Sequence, residues 1–306
     1  MANIARDLLR GAIDLHIHTG PDVVPGLVDT LKLAELARLA GQAAIVVKSH
    51  HMPTIDRALI AQSLFPEIKV FGGLTLNLPC CGGLNPEAVK TAIRMGAKII
   101  WLPTFSAVQH MEKIKVRATG TLAIMAQGFA LTPVEVLDEN GAVRSELREI
   151  LGLVAEADII LGMGHLSTRE TKGVVAAAQA VGVRKILVNH PELWIVGMSV
   201  EDQCELAARG VMIETCVQSV WSKGAEQSPK VLADQIKAVG AESVIMATDG
   251  GLLSSPVPPQ AMLWYIEQML QHGISAEDIE KMVKGKPRPP TGPLTAIAPM
   301  RRISVE

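Results

Sequence analysis

Two hydrophobic patterns alternate along the chain: an amphipathic helical stretch closes on a glycine, and a few residues later a short β-branched run ends in polar residues. Leu33, Leu36, Ala37 and Ala40 lie at helical spacing ahead of Gly41, which can adopt the left-handed conformation that ends a helix, and residues 43–47 then read as a buried strand. The motif returns with Gly96 before 98–102, Gly182 before 185–188, Gly210 before 211–215 and Gly240 before 243–248. Residues 13–17, 70–76 and 159–162 complete eight candidate strands. Parallel strands need a crossover of a dozen residues or more, and nearly every interval is long enough for one helix. Eight such units predict a closed (β/α)8 TIM barrel, an α/β fold, rather than an open sheet.

One interval breaks the rhythm. Residues 105–143 show no convincing single helix, and TGTLAIMA and VEVLDENGAV look extended, so a small extended insert is predicted after strand four. Asn140-Gly141 is a tight-turn dipeptide, because both residues tolerate positive φ. The proline-rich tail, about 286–306, cannot continue a helix and is expected to run irregularly over the surface. No internal repeat, low-complexity tract or charge block separates a second domain, so residues 1–306 read as a single barrel domain.

Composition narrows the partners. With 29 basic against 31 acidic side chains, the chain has no global field to attract nucleic acid or an anionic membrane, which leaves small molecules. The 48% hydrophobic but only 3% aromatic content implies a core of Ala, Val, Ile, Leu and Met, the usual filling of buried parallel strands. Cys80, Cys81, Cys204 and Cys216 form neither a C-x-x-C motif nor a disulfide framework, pointing to a reducing compartment. Asp7, Arg10 and Asp14 interrupt the stretch where a signal peptide would be apolar, and no run approaches membrane-spanning length, so a cytoplasmic protein is expected. The apolar helices offer surfaces for a homo-oligomer without fixing its symmetry.

The chemistry lies in where the imidazoles fall. Of eight histidines, His16, His18, His50, His51, His165 and His190 sit at or just beyond the end of a predicted strand, whereas His110 and His272 do not. In an α/β barrel those ends share one mouth, so side chains distant in sequence converge there. His16 and His18 are two apart on the first strand, and a period of two turns both toward the interior. Asp249 closes the eighth strand in VIMATDGG. Imidazoles with a carboxylate suit Zn²⁺ first, with Mn²⁺, Fe²⁺ and Co²⁺ as alternatives, and one or two ions.

This arrangement resembles the amidohydrolase superfamily, whose members carry His-x-His on strand one, single histidines on strands five and six, and an aspartate on strand eight. The resemblance spans roughly residues 12–285 and implies His16, His18, His165, His190 and Asp249 as metal ligands. DLHIHTGPD, VVKSHHMPT, GGLNP, IIWLPT and GHLSTRE look most similar to an amidohydrolase-like microbial group. The departure lies on strand four, which ends IIWLPT and supplies no bridging lysine or glutamate. Lys48, at the end of strand two, could replace it as a carboxylated bridge, stay cationic and clamp an anionic substrate group, or reach solvent or pair with Asp22 or Glu192.

The expected activity is metal-dependent hydrolysis of an amide, lactone or related ester bond, with Asp249 as general base. His50, His51, Asn77, Trp101, Thr104 and Asn189 lie near other strand ends as candidate substrate contacts. His50 or His51 could instead cap the following helix. The alternatives are a PHP-type phosphoesterase, usually a seven-stranded barrel ending in Asp-x-His, a decarboxylase or lyase that would use Lys48 against the departing carboxylate, and, ranked last, a non-catalytic barrel that only binds a ligand. The glycines of CCGGLNP read as a turn, with Asn85-Pro86 as cap and first residue of a helix, and Cys80 and Cys81 as structural residues.

Overall fold

A strand covered by helices outside and by its neighbours across a closed ring inside has no face left for water. β2 (Ala44–Lys48) meets that demand and is buried at all five positions. The computed structural model describes residues 2–116, 128–129, 132–221, 227–253 and 255–285. In it the eight predicted runs form parallel strands: β1 (Ile13–His18), β2, β3 (Lys69–Thr75), β4 (Ile99–Trp101), β5 (Ile160–Gly162), β6 (Ile186–Val188), β7 (Met212–Cys216) and β8 (Val244–Ala247). They pair in sequence order, and Ile17 bridges Gly250 beyond β8 so that the ring closes, with His18 N donating to Gly250 O at 2.8 Å. This is the eight-stranded (β/α)8 barrel, not the seven-stranded alternative.

The first strand departs from simple alternation. Asp14 pairs with Ile45 and Ile17 with Val47, three residues of β1 against two of β2, so β1 carries one extra residue. Leu15 packs among the side chains filling the ring, Ile17 joins the outer cluster with Leu33 and Ala37, and His16 between them also reaches the interior contacts described below. The irregularity is held by Asp14, whose carboxylate accepts from His16 N at 3.3 Å and from Thr248 N and Oγ1 at 3.1 and 2.6 Å. Without it, strict alternation would turn one of Leu15 and His16 away from the interior.

The interval 105–143 holds more order than its composition suggested. A helix spans Val108–Val116 and buries His110, Met111 and Ile114, a stripe at helical spacing obscured in the sequence by Lys113 and Lys115. The extended reading holds for the later part: Ala107 bridges Val134, Leu137 bridges Val143, and Gly141 turns at φ 79°. TGTLAIMA and the tail 286–306 lie outside the described residues. Helix starts follow local chemistry: Asn85 accepts from Glu87 N and Ala88 N ahead of Pro86, and Ser167 with Glu170 forms a capping box on Thr168–Ala180. Among the described residues no helix is long and apolar enough to cross a membrane.

Trp101 is the largest fully buried side chain inside the ring, clustered with Val46, Ile99 and Leu187. Its neighbours on both sides are glycines for a steric reason. A Cβ on Gly73 would lie 2.7 Å from Trp101 Cζ3, and one on Gly162 would lie 2.5 Å from Trp101 Cδ1. At the opposite end of the barrel from the histidines, Leu15, Ile160, Leu187, Met212 and Ile245 line a cavity of about 570 Å³.

Candidate metal centre

The mouth gathers side chains from the ends of all eight strands. Asp249 Oδ1 lies 3.1 Å from both His16 Nε2 and His18 Nε2, so three potential ligand atoms fall within 4.8 Å of one another. Behind them, His16 Nδ1 is 3.0 Å from Glu214 Oε2, and Asn189 Nδ2 donates to that same oxygen at 2.8 Å. Asn189 is fixed in turn by Gly164 N, which donates to its Oδ1 at 3.0 Å. A carboxylate behind an imidazole orients the ring and sets its tautomer, leaving Nε2 to face the site.

Charge is concentrated in this group. Burial works against ionised Asp249, but the His16 charge and the hydrogen bonds from His16 and His18 outweigh it and hold the carboxyl well below its ordinary range. Burial also opposes a charged His16, yet Asp249 and Glu214 raise it to about 9 despite the nearby Lys48 cation. His18 is shifted the other way, chiefly by burial, and His190 falls to about 4 for the same first reason. The Asp249 side chain is 13% exposed against 0% for His16, so the carboxylate is the member of the pair that faces solvent.

Lys48 is buried, with Nζ 3.0 Å from His16 Nε2 and 5.6 Å from the centre of the Trp101 ring. Burial lowers its pKa, opposed by the negative charges of Asp249 and Glu214. Asp22 instead lies 3.5 Å from His51 Nδ1, and Glu192 Oε1 accepts from Cys216 N at 2.9 Å. Burial raises Glu192 to about 8.

The remaining sequence candidates divide by position. His50 stacks on His18 with ring centres 4.9 Å apart, and its Nδ1 is 2.7 Å from Thr104 Oγ1. Asn77 Oδ1 accepts from Thr104 N and Ser106 N, and its Nδ2 donates to Thr104 Oγ1 and to His50 O. With one lone pair of Thr104 taken by Asn77, the hydroxyl proton is free to go to His50 Nδ1, leaving Nε2–H as the donor side of that ring. Asn77 and Thr104 thus brace His50, Asn189 braces Glu214, and Trp101 forms the floor. His51 stacks on Phe105 at 4.9 Å and reaches Phe129 at 5.1 Å.

His165 and His190 complete the mouth, with ring centres 5.0 Å apart, and His190 lies 5.5 Å from His16. His190 Nδ1 is buried and has no hydrogen-bond partner. A buried imidazole nitrogen left unpaired among other imidazoles is what a cation ligand looks like before its ion is added, so the residues fit a divalent metal. His190 and Asp249 also sit at positive φ, 28° and 48°, a region uncommon for residues with a β-carbon, although Asp and His enter it more readily than most. Such strain is worth on the order of 1–3 kcal/mol per residue and collects at functional sites.

Two participants escaped the sequence reading. Glu214 stands inside the apolar run of β7, and an acid there was the available signal, since a buried carboxylate needs a partner. His110 comes from the helix after β4, not from a strand end, yet its Nδ1 lies 2.6 Å from His165 Nδ1.

Comparison with known proteins gives a family and a fold. The model of a family described as "family of unknown function (DUF6282)" matches residues 11–214, from β1 through Glu214. No curated protein sequence matches the chain. An amidohydrolase from Pseudomonas aeruginosa superposes with a TM-score of 0.56 at 11% identity, over 92% of this chain and 95% of its own. An amidohydrolase from Burkholderia multivorans with bound zinc gives 0.53 at 12%, over 90% and 96%. A 2,6-dihydroxybenzoate decarboxylase complexed with 2,6-dihydroxybenzoate gives 0.51 at 14%, over 90% and 97%. The chain therefore belongs to the DUF6282 family of unknown function and is built on the barrel fold of the amidohydrolases.

Proposed function

We propose that this protein is a metal-dependent hydrolase of the amidohydrolase type, acting on an amide, lactone or related ester bond of a small molecule. The observation that carries the reading is the position of Asp249 Oδ1, 3.1 Å from the Nε2 atoms of both His16 and His18. His16, His18 and Asp249 would hold a divalent ion, with His165 and His190 alongside. Zinc is the first choice for imidazole and carboxylate donors, and the bound zinc of the Burkholderia multivorans amidohydrolase supports it. When bound, such an ion polarises a carbonyl oxygen and lowers the pKa of water toward neutrality.

The chain's own groups supply the rest. Asp249, kept ionised and partly open to solvent, takes a proton as water attacks and returns it to the leaving group. Glu214 holds His16 in register, and the Asn77–Thr104 pair sets the Nε2–H of His50 as a donor toward a substrate oxygen. Lys48 places a buried cation beside His16, where it can stabilise an anionic group of the substrate.

Lys48 also favours a second reading, decarboxylation, in which a cation grips a carboxylate, and the barrel of the 2,6-dihydroxybenzoate decarboxylase is compatible with it. Metal analysis of protein purified without chelator, followed by a screen of lactones, amides, cyclic imides, phosphoesters and aromatic acids, separates the two. Hydrolysis by the wild type that disappears in Asp249→Asn supports the proposal. Release of CO2 from an aromatic acid points to the second reading, and turnover equal in both proteins removes Asp249 from the chemistry.

A further inference from the structure

We infer that His16 Nδ1, Glu214 and Cys216 form an inner seat for a thiophilic divalent cation, behind the outer group of His16, His18 and Asp249. This deepens the hydrolase proposal and rests on its metal reading, in which His16 turns Nε2 outward and leaves Nδ1 to face inward.

Three observations converge. One ligand atom from each of His16, Glu214 and Cys216 lies within 4.8 Å of the other two, and all three residues are fully buried. Strand β7 aims two of them together. Glu214 and Cys216 are two apart, and Thr215 between them faces the other way, where its hydroxyl accepts from Tyr265 Oη at 2.9 Å. Glu214 then uses only one of its oxygens: Oε2 meets His16 Nδ1 at 3.0 Å and Asn189 Nδ2 at 2.8 Å, whereas Oε1 is buried with no partner. Cys216 is a free thiol whose backbone N is anchored on Glu192 Oε1. A bare carboxylate oxygen closed off from water, with a thiol and an imidazole beside it, is completed by a cation.

The spacing suits an ion. Zinc bonds to imidazole nitrogen at ~2.0–2.1 Å, to carboxylate oxygen at ~2.0–2.2 Å and to thiolate at ~2.3 Å, so donors around one tetrahedral ion stand ~3.3–3.6 Å apart. The 3.0 Å between His16 Nδ1 and Glu214 Oε2 needs to widen by ~0.4 Å, and no span in the group has to close by more than ~1.2 Å.

The sulfur makes the inner seat selective. A thiolate favours zinc and cadmium over magnesium and calcium, whereas the outer group offers only imidazole and carboxylate. Binding exchanges protons for the ion. The Cys216 thiol gives up its proton, His16 gives up the Nδ1 proton that it shares with Glu214, and both pass to water. The Glu214 carboxylate and the Cys216 thiolate then balance the two positive charges, as a seat closed to solvent requires.

The test is spectroscopic. Cobalt(II) held by a thiolate shows an intense near-ultraviolet charge-transfer band that imidazole and carboxylate ligands do not give. Metal-free protein, prepared with a chelator and kept reduced, is titrated with Co²⁺ while that band is followed. Wild type is expected to develop it, and Cys216→Ser to lose it almost entirely, with the fold checked by circular dichroism. The triple variant Cys80→Ser, Cys81→Ser, Cys204→Ser leaves Cys216 as the sole thiol and should keep the band. This variant decides the matter should Cys216→Ser not fold. No band in the wild type, an undiminished band in Cys216→Ser, or loss of the band from the folded triple variant overturns the inference. Asp249→Asn strips the carboxylate from the outer group and should still show the band, so failure to find a hydrolysed substrate stays separate from failure of the inner seat.

Discussion

Replacing Glu214 by Gln keeps the size of the side chain behind His16 while deleting its charge. Loss of the partner behind a metal-binding imidazole lowers metal affinity by roughly 10–100-fold, about 1.4–2.8 kcal/mol. A second effect opposes it. In the metal-free protein His16 is raised to about 9, partly by Glu214, so at pH 7 a proton occupies the ring and must leave before a metal binds. Asp249 is already ionised, and His18 is held neutral by burial, so the count is one proton. Wild-type affinity should therefore climb about tenfold per pH unit between pH 7 and 9, then level off. In Glu214→Gln the His16 proton is held less tightly and the climb flattens at lower pH. The gap between the two proteins should be widest near pH 9 and narrower at pH 7. Competition with a zinc-buffering chelator at pH 7, 8 and 9 measures both curves. Parallel curves, or equal affinities at pH 9 with both proteins folded, would refute the claim that Glu214 acts through His16.

Three further outcomes are expected. Gly162→Ala forces a methyl against Trp101 Cδ1 at 2.5 Å and Asn189 Oδ1 at 2.9 Å, and should destabilise by about 1–3 kcal/mol in urea melts; an unchanged midpoint would show that Trp101 yields freely. Glu192 is raised by burial from 4.5 to about 8, so the folded protein keeps a proton that the unfolded chain releases, and stability through this group is full below pH 4.5 and lost as pH rises through 8. Glu192→Gln should gain on wild type by an amount on the order of a few kcal/mol between pH 5 and pH 8, read from melts at the two pH values; a constant difference defeats the assignment. Ser167→Ala removes the cap from Thr168–Ala180 and should lower stability by about 1 kcal/mol, with no change in metal content.

The strands were legible because burial on both faces leaves a strong compositional mark. The β2 run AIVVK and the β7 run MIETC each appear within a residue of their predicted places. Their order around the barrel followed from connection length alone. What the sequence hid were contacts made by residues whose neighbours give no warning. His110 lies between Gln109 and Met111 in a segment broken by lysines, and only folding of the helix over the mouth sets it against His165. The extra residue in β1 is invisible to a period-two reading, because Asp14 looks like one more polar position until its carboxylate is seen holding Thr248 and the His16 amide. Glu214 was readable in principle, as a charge in an apolar run, but its partner was 198 positions away.

Trp101 decides which way traffic runs. Filling the ring between the histidine mouth and the cavity at the far end, it makes the barrel a cup rather than a tube. With the ring filled beneath it, Asp249 is approached from the histidine end, where its side chain is 13% exposed. A bulky fragment still lodged at the brim would hold up both its partner below and the next molecule waiting above.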